Sequence, residues 1–123
     1  MSSAAKSVLV FGVYLVGLGA GLLGVPNLVI GAFGFPATGE VWIRVVGVLV
    51  LCLAYYYIRS AQAGHLDFCR FTVHVRTFVF VAFAALAALR LARPALVVFG
   101  AVDLLGAMWT AAALRGRATW AGR

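Results

Sequence analysis

Acid is scarce in this chain. Glu40, Asp67 and Asp103 are the three carboxylate side chains among 123 residues, and charged residues of both signs make up 11%. An ordinary soluble domain is about 25% charged and about 45–50% apolar. At 65% hydrophobic, this sequence cannot cover itself with a polar surface, which excludes a water-soluble globular domain. The catalytic signatures are missing as well: there is no CxxC, no GxSxG, no glycine loop for phosphate and no pair of carboxylates on facing helices. The enzyme reading has no signature in the sequence. Cys52 and Cys69 are the two cysteines, one well inside an apolar run and the other at its polar edge, so no disulfide is expected.

Prolines number three, and the apolar runs between them are long. A helix crossing about 30 Å of hydrocarbon needs about 20 apolar residues. Four segments qualify, from about Lys6 to Gly24, Glu40 to Arg59, Phe71 to Leu89 and Pro94 to Leu114. They are continuous rather than alternating, which favours helices over barrel strands. The first run, with an apolar stretch from Val8 to Leu23, exceeds a signal-peptide core of about 7–15 residues and lacks a good cleavage site, so it is read as a span. The sequence thus predicts an all-α integral membrane bundle of four transmembrane helices, one domain over residues 1–123, with the lipid bilayer as its solvent.

Net charge is +7, yet the cations sit at the ends of the runs and not on a polar face interleaved with aromatics. That excludes nucleic-acid binding and points to topology. With the N-terminus in the cytoplasm, Lys6, Arg59, Arg70, Arg115, Arg117 and Arg123 gather inside, while Arg90 and Arg93 lie outside. Both termini are therefore expected in the cytoplasm. Nine of the ten basic residues are Arg, and Ala, Gly and Val abound, a composition consistent with the inner membrane of a high-GC bacterium. Tyr55, Tyr56 and Tyr57 are expected at the inner interface and Trp42 near the outer one.

The first connection, VPNLVIGAFGFPATGE, is mostly apolar and punctuated by Pro26 and Pro36. A short interfacial helix from Leu28 to Phe33, capped by Asn27, is expected there as a lid over the bundle. SAQAGHLDFCR reads as a polar inner loop, and RLARP as a tight outer turn that makes the third and fourth spans a hairpin. Helices in lipid associate through close approach and polar contacts. Gly17 and Gly21 in GLGAGLLG supply one candidate docking stripe, and Gly100, Asp103, Gly106, Ala107 and Thr110 share a second face.

Asp103 is the chemically conspicuous residue. An unpaired charge in mid-bilayer costs at least ~2.5–3.5 kcal/mol, so it should face protein and find a partner. Arg44, shallow in the second span, is the expected cation, with Glu40 one turn before it completing a network. Arg76 on the third span is the second choice, since it can snorkel to the inner surface. Tyr14, at mid-depth on the glycine-rich helix, joins Asp103, Arg44 and Glu40 as a possible ligand site, with His74 as a weaker head-group contact. His65, Asp67, Cys69 and His74 match no metal-ligand spacing. No metal site or cofactor is expected.

PNLVIGAFGFP, EVWIRVVGVLVLCLAYYYI and VDLLGAMWT together resemble the small four-helix bacterial inner-membrane proteins grouped as DoxX-like or uncharacterised. The resemblance covers nearly the whole chain. It implies the four-helix fold and the membrane, and an accessory role beside quinone or thiol redox systems. Two functions are expected on these grounds. The first is an accessory component that associates with itself or with a larger complex. The second is a protein that holds a lipid- or quinone-type ligand, or a small membrane enzyme, around the Asp103 and Arg44 pair.

Overall fold

The computed structural model describes the backbone of residues 1–121 and the side chains of residues 1–116. Five helices follow one another: α1 (Ser3–Gly24), α2 (Pro26–Ala32), α3 (Trp42–Ala63), α4 (Leu66–Ala88) and α5 (Leu96–Ala121). All but α2 are long and apolar enough to cross a membrane. The four long helices run alternately up and down, so α2 and the turn before α5 cover one end, and the start of α1 and the end of α5 share the other with the α3–α4 turn. Arg117 and Arg123, expected at the terminal end, lie outside the described side chains.

Helix boundaries follow local chemistry. Ser2 caps α1, its hydroxyl accepting from the Ala5 amide at 3.1 Å. Pro26 closes α1, because the residue before a proline is pushed out of the helical region, and then opens α2 at a position where its missing N–H costs nothing. The short helix therefore starts two residues before the expected Leu28. Asn27 lies inside it and does not cap it; its Oδ1 accepts from the Thr38 amide at 2.8 Å and ties the long connection back onto α2.

The polar inner loop is far shorter than expected, because only Gly64 and His65 separate α3 from α4. Gly64 takes the left-handed conformation (φ 75°) that ends a helix without a Cβ penalty, and the His65 amide reaches the Ser60 carbonyl at 3.1 Å. Starting α4 at Leu66 instead of Phe71 places Arg76 about 15 Å along its helix rather than near its end. Conversely, α3 starts at Trp42, so Glu40 precedes the helix and cannot stack one turn before Arg44.

Packing is uneven. The broadest contacts join α1 to α3 and α4 to α5, α1 touches α5 along a narrower seam, and α3 and α4 scarcely meet away from their shared turn. Gly12 and Gly19 make the α1–α3 approach possible: a Cβ on Gly12 would stand 2.9 Å from the Ile58 side chain, and one on Gly19 3.0 Å from the Gly47 carbonyl. The expected stripe is different. Gly17 faces open space, and Gly21 meets Val29 of α2. The core lies toward the terminal end, around Val8, Phe11, Ala54, Tyr57 and Cys69.

Candidate functional site

Two polar features sit inside the bundle, one above the other. The lower is built around Arg76, whose side chain is 1% exposed. Its Nε donates to the Thr72 carbonyl at 3.2 Å, and its Nη2 to the hydroxyls of Thr72 at 3.0 Å and Thr110 at 2.8 Å. Thr110 meets the Ser7 hydroxyl at 2.6 Å, which joins α1, α4 and α5 in one chain of hydrogen bonds. The guanidinium also lies 4.8 Å from the ring centre of Phe11 and 5.8 Å from that of Tyr57, a cation over aromatic faces. One group is left over: Arg76 Nη1 is buried without a hydrogen-bond partner. It fits because residue 106 is glycine, where a Cβ would come within 2.9 Å of Nη1.

Asp103 lies one turn nearer the α2 end and is half-buried. No ion-pair contact joins it to Arg76; among the described residues the ion pair in contact is Arg70–Asp67, at the surface. Helix geometry explains the separation. Side chains lean toward the N-terminus of their own helix, and α4 and α5 are antiparallel, so Arg76 leans toward the terminal end and Asp103 toward the α2 end.

Arg44 is not the partner of Asp103. It is exposed, and its Nη1 donates to the carbonyl of Leu23. The last carbonyls of α1 lack helical partners and carry the negative end of its dipole, and α3 packs on α1 and not on α5. A cation at the start of α3 therefore finds a nearby acceptor before it could reach a carboxylate on α5. Glu40 stays in the connection, its amide donating to the Thr38 hydroxyl at 3.1 Å. His74 is exposed on α4, on the side away from this centre.

Above Arg76, a cavity of about 540 Å³ opens between the helices beneath the α2 connection. Its walls are apolar, with Leu18, Val46, Val50 and Phe99 typical of them, and its polar lining residues are Tyr14, Thr38 and Asp103. Tyr14 and Asp103, paired as a possible site by sequence, are thus brought to one wall, while Arg44, Glu40 and His74 are not among the lining residues. Sequence reasoning missed Ser7, Thr72 and Tyr57. Tyr57 was expected at an interface with its two neighbours; it is 6% exposed and packs between Phe11 and Phe68. The available signal was the 72/76 spacing, which puts a hydroxyl one turn before a mid-helix arginine on the same face.

His65, Asp67 and His74 are exposed while Cys69 is buried, and no cluster of three or more metal donors occurs among the described residues. Cys52 and Cys69 are both free. No family model, curated protein or solved structure matches the chain.

Proposed function

We propose that this chain is a four-span inner-membrane protein that shelters a lipid-like molecule between its helices, acting as a binding component and not as a catalyst. One observation carries the reading: the apolar cavity beside Asp103, within the range of about 300–1,000 Å³ typical of ligand sites. With Lys6, Arg59, Arg70 and Arg115 at one end of the bundle and both termini there, that end is assigned to the cytoplasm. The cavity then opens within the outer leaflet. Because α3 and α4 part beyond their shared turn, an apolar molecule enters sideways from the hydrocarbon without crossing water.

Filling the cavity tests this. Val50→Trp places an indole in the space while leaving the polar centre untouched. Native mass spectrometry of the full chain from a mild detergent should find an apolar adduct on the unsubstituted protein and none on the variant, with helical content unchanged by circular dichroism. An adduct retained equally by both would overturn the proposal.

A second reading, a component that associates with itself or with a larger complex, draws on the outward face of α1, where a Cβ on Gly17 or Gly24 would meet nothing within 4 Å and Val10 and Val13 are exposed. Small residues let helices approach closely. The DoxX-like resemblance belongs with this reading, as an accessory role in such a complex.

A further inference from the structure

The occupant of the cavity can be narrowed by asking where its polar groups are. We infer, building on the binding role just proposed, that the cavity takes an uncharged long-chain lipid bearing a single hydroxyl, which donates its proton to the Asp103 carboxylate. Three observations select this class.

The polar end of the cavity is its deep end. Asp103 lies about 10 Å from the start of α5 and Tyr14 about 15 Å from the end of α1. Thr38, the polar lining residue of the α2 connection, lies at the mouth, where its backbone amide donates to Asn27 and its hydroxyl accepts from the Glu40 amide. A phospholipid must keep its charged head at the surface, so it would set acyl carbon against a carboxylate. A head that travels to mid-depth through hydrocarbon must be small and neutral, because desolvating a charge there is costly.

Charges of both signs border the deep end. The Arg76 guanidinium lies about one turn beyond Asp103, its Nη1 2.9 Å from where a Cβ on Gly106 would stand. A cationic amphiphile would meet the repulsion of that buried guanidinium along with the attraction of the carboxylate. An anionic head would meet Asp103 directly.

Finally, hydrogen-bonding capacity is left open. Among the described residues, no side-chain hydrogen bond is made by Asp103 or by the Tyr14 hydroxyl, while the nearby Ser7, Thr72 and Thr110 hydroxyls are all engaged. A hydroxyl is one donor and two acceptors. It can donate to Asp103 and keeps lone pairs to accept from the Tyr14 hydroxyl, roles that no hydrocarbon and no quaternary ammonium can fill.

The test compares probes of equal chain length and different heads. The full chain is placed in nanodiscs of dimyristoylphosphatidylcholine with equal mole fractions of dodecan-1-ol, dodecane and dodecyltrimethylammonium, and retained adducts are counted by native mass spectrometry. The alcohol should be retained about tenfold or more over both others, the value of one hydrogen bond to a charged acceptor. Asp103→Leu should remove that preference and leave alkane retention in place. Tyr14→Phe, which keeps the ring and therefore the packing, should weaken the preference in part and keeps the test open if the Asp103 variant does not fold. Equal retention of alcohol and alkane, with both lost in Val50→Trp, would overturn the hydroxyl assignment while leaving the cavity reading standing. A preference for the ammonium, or a retained phosphatidylcholine in place of the probes, would also overturn it. No retention of any probe, or retention unchanged by Val50→Trp, would overturn both.

Discussion

Arg76 is held by hydroxyls and aromatic faces in place of a touching carboxylate, and that has a thermodynamic consequence. Thr72 keeps its bond to the Cys69 carbonyl at 2.7 Å whether or not the guanidinium is present, and the Ser7 and Thr110 hydroxyls still place their two protons among the Ala4 carbonyl, the Gly106 carbonyl and each other. Arg76→Met therefore strands none of these hydroxyls, removes one orphaned donor and fills similar space. A buried cation with no carboxylate in contact carries a desolvation cost that an apolar group of similar volume does not. The variant should melt within about 1 kcal/mol of the unsubstituted protein or above it, followed by circular dichroism in detergent. Thr110→Val acts in the opposite direction, because it takes one of the two acceptors of Nη2 and leaves the cation still buried; a loss of roughly 1–3 kcal/mol is expected. Were Arg76→Met the more damaging change, the hydroxyl account of the centre would fail. The sequence made Asp103 legible, because a carboxylate in an apolar run must face protein, and it put Tyr14 beside it. It could not choose between Arg44 and Arg76, since that choice rests on which helices touch and which way each side chain leans.

Among the elements, hydropathy made the long helices and the short one legible, and the expected hairpin of the third and fourth spans corresponds to the close pairing of α4 and α5. The ends were not legible where polarity and helicity part company. Residues from Leu66 to Arg70 read as a loop because Asp67 and Arg70 interrupt the apolar run, yet their backbone continues the helix, which the turn at Gly64 allows to begin early. Glycine was similarly ambiguous. Gly12, Gly17, Gly19 and Gly21 all qualify as docking positions by size, and only the partner helix selects among them. The structure selects Gly47 and Gly19, where a Cβ on Gly47 would come within 2.8 Å of the Leu23 amide nitrogen and 2.9 Å of the Gly19 carbonyl. Backbone cannot rotate aside as a side chain can. Gly47→Ala should cost about 1–3 kcal/mol by forcing α1 from α3, whereas Gly17→Ala, with open space around it, should stay within about 0.5 kcal/mol. Unfolding in graded sodium dodecyl sulfate would compare them. A Gly17 effect as large as that of Gly47 would mean that the outward face of α1 is buried against another chain, which would favour the self-associating reading.

At the scale of the whole molecule, the helices fall into two pairs, α1 with α3 and α4 with α5, fastened by the α1–α5 seam and the turn at Gly64 and His65. Neither pair threads the other. A chain interrupted between Gly64 and His65 and produced as two pieces in one cell should still assemble, and affinity purification through a tag on the first piece should recover the second. Failure to recover it, with both pieces present in the membrane fraction, would mean that the short turn and not the seam holds the pairs together. The same lopsidedness makes the molecule resemble a book, with the Ser7–Thr110–Arg76 hydrogen bonds in its spine and its fore-edge unbound. In the membrane we propose for it, lateral pressure would bear on that free edge. A tightly packed, saturated bilayer would press the covers shut, a fluid one would let them part, and the room for the proposed guest between the pages would be set in part by the lipids outside.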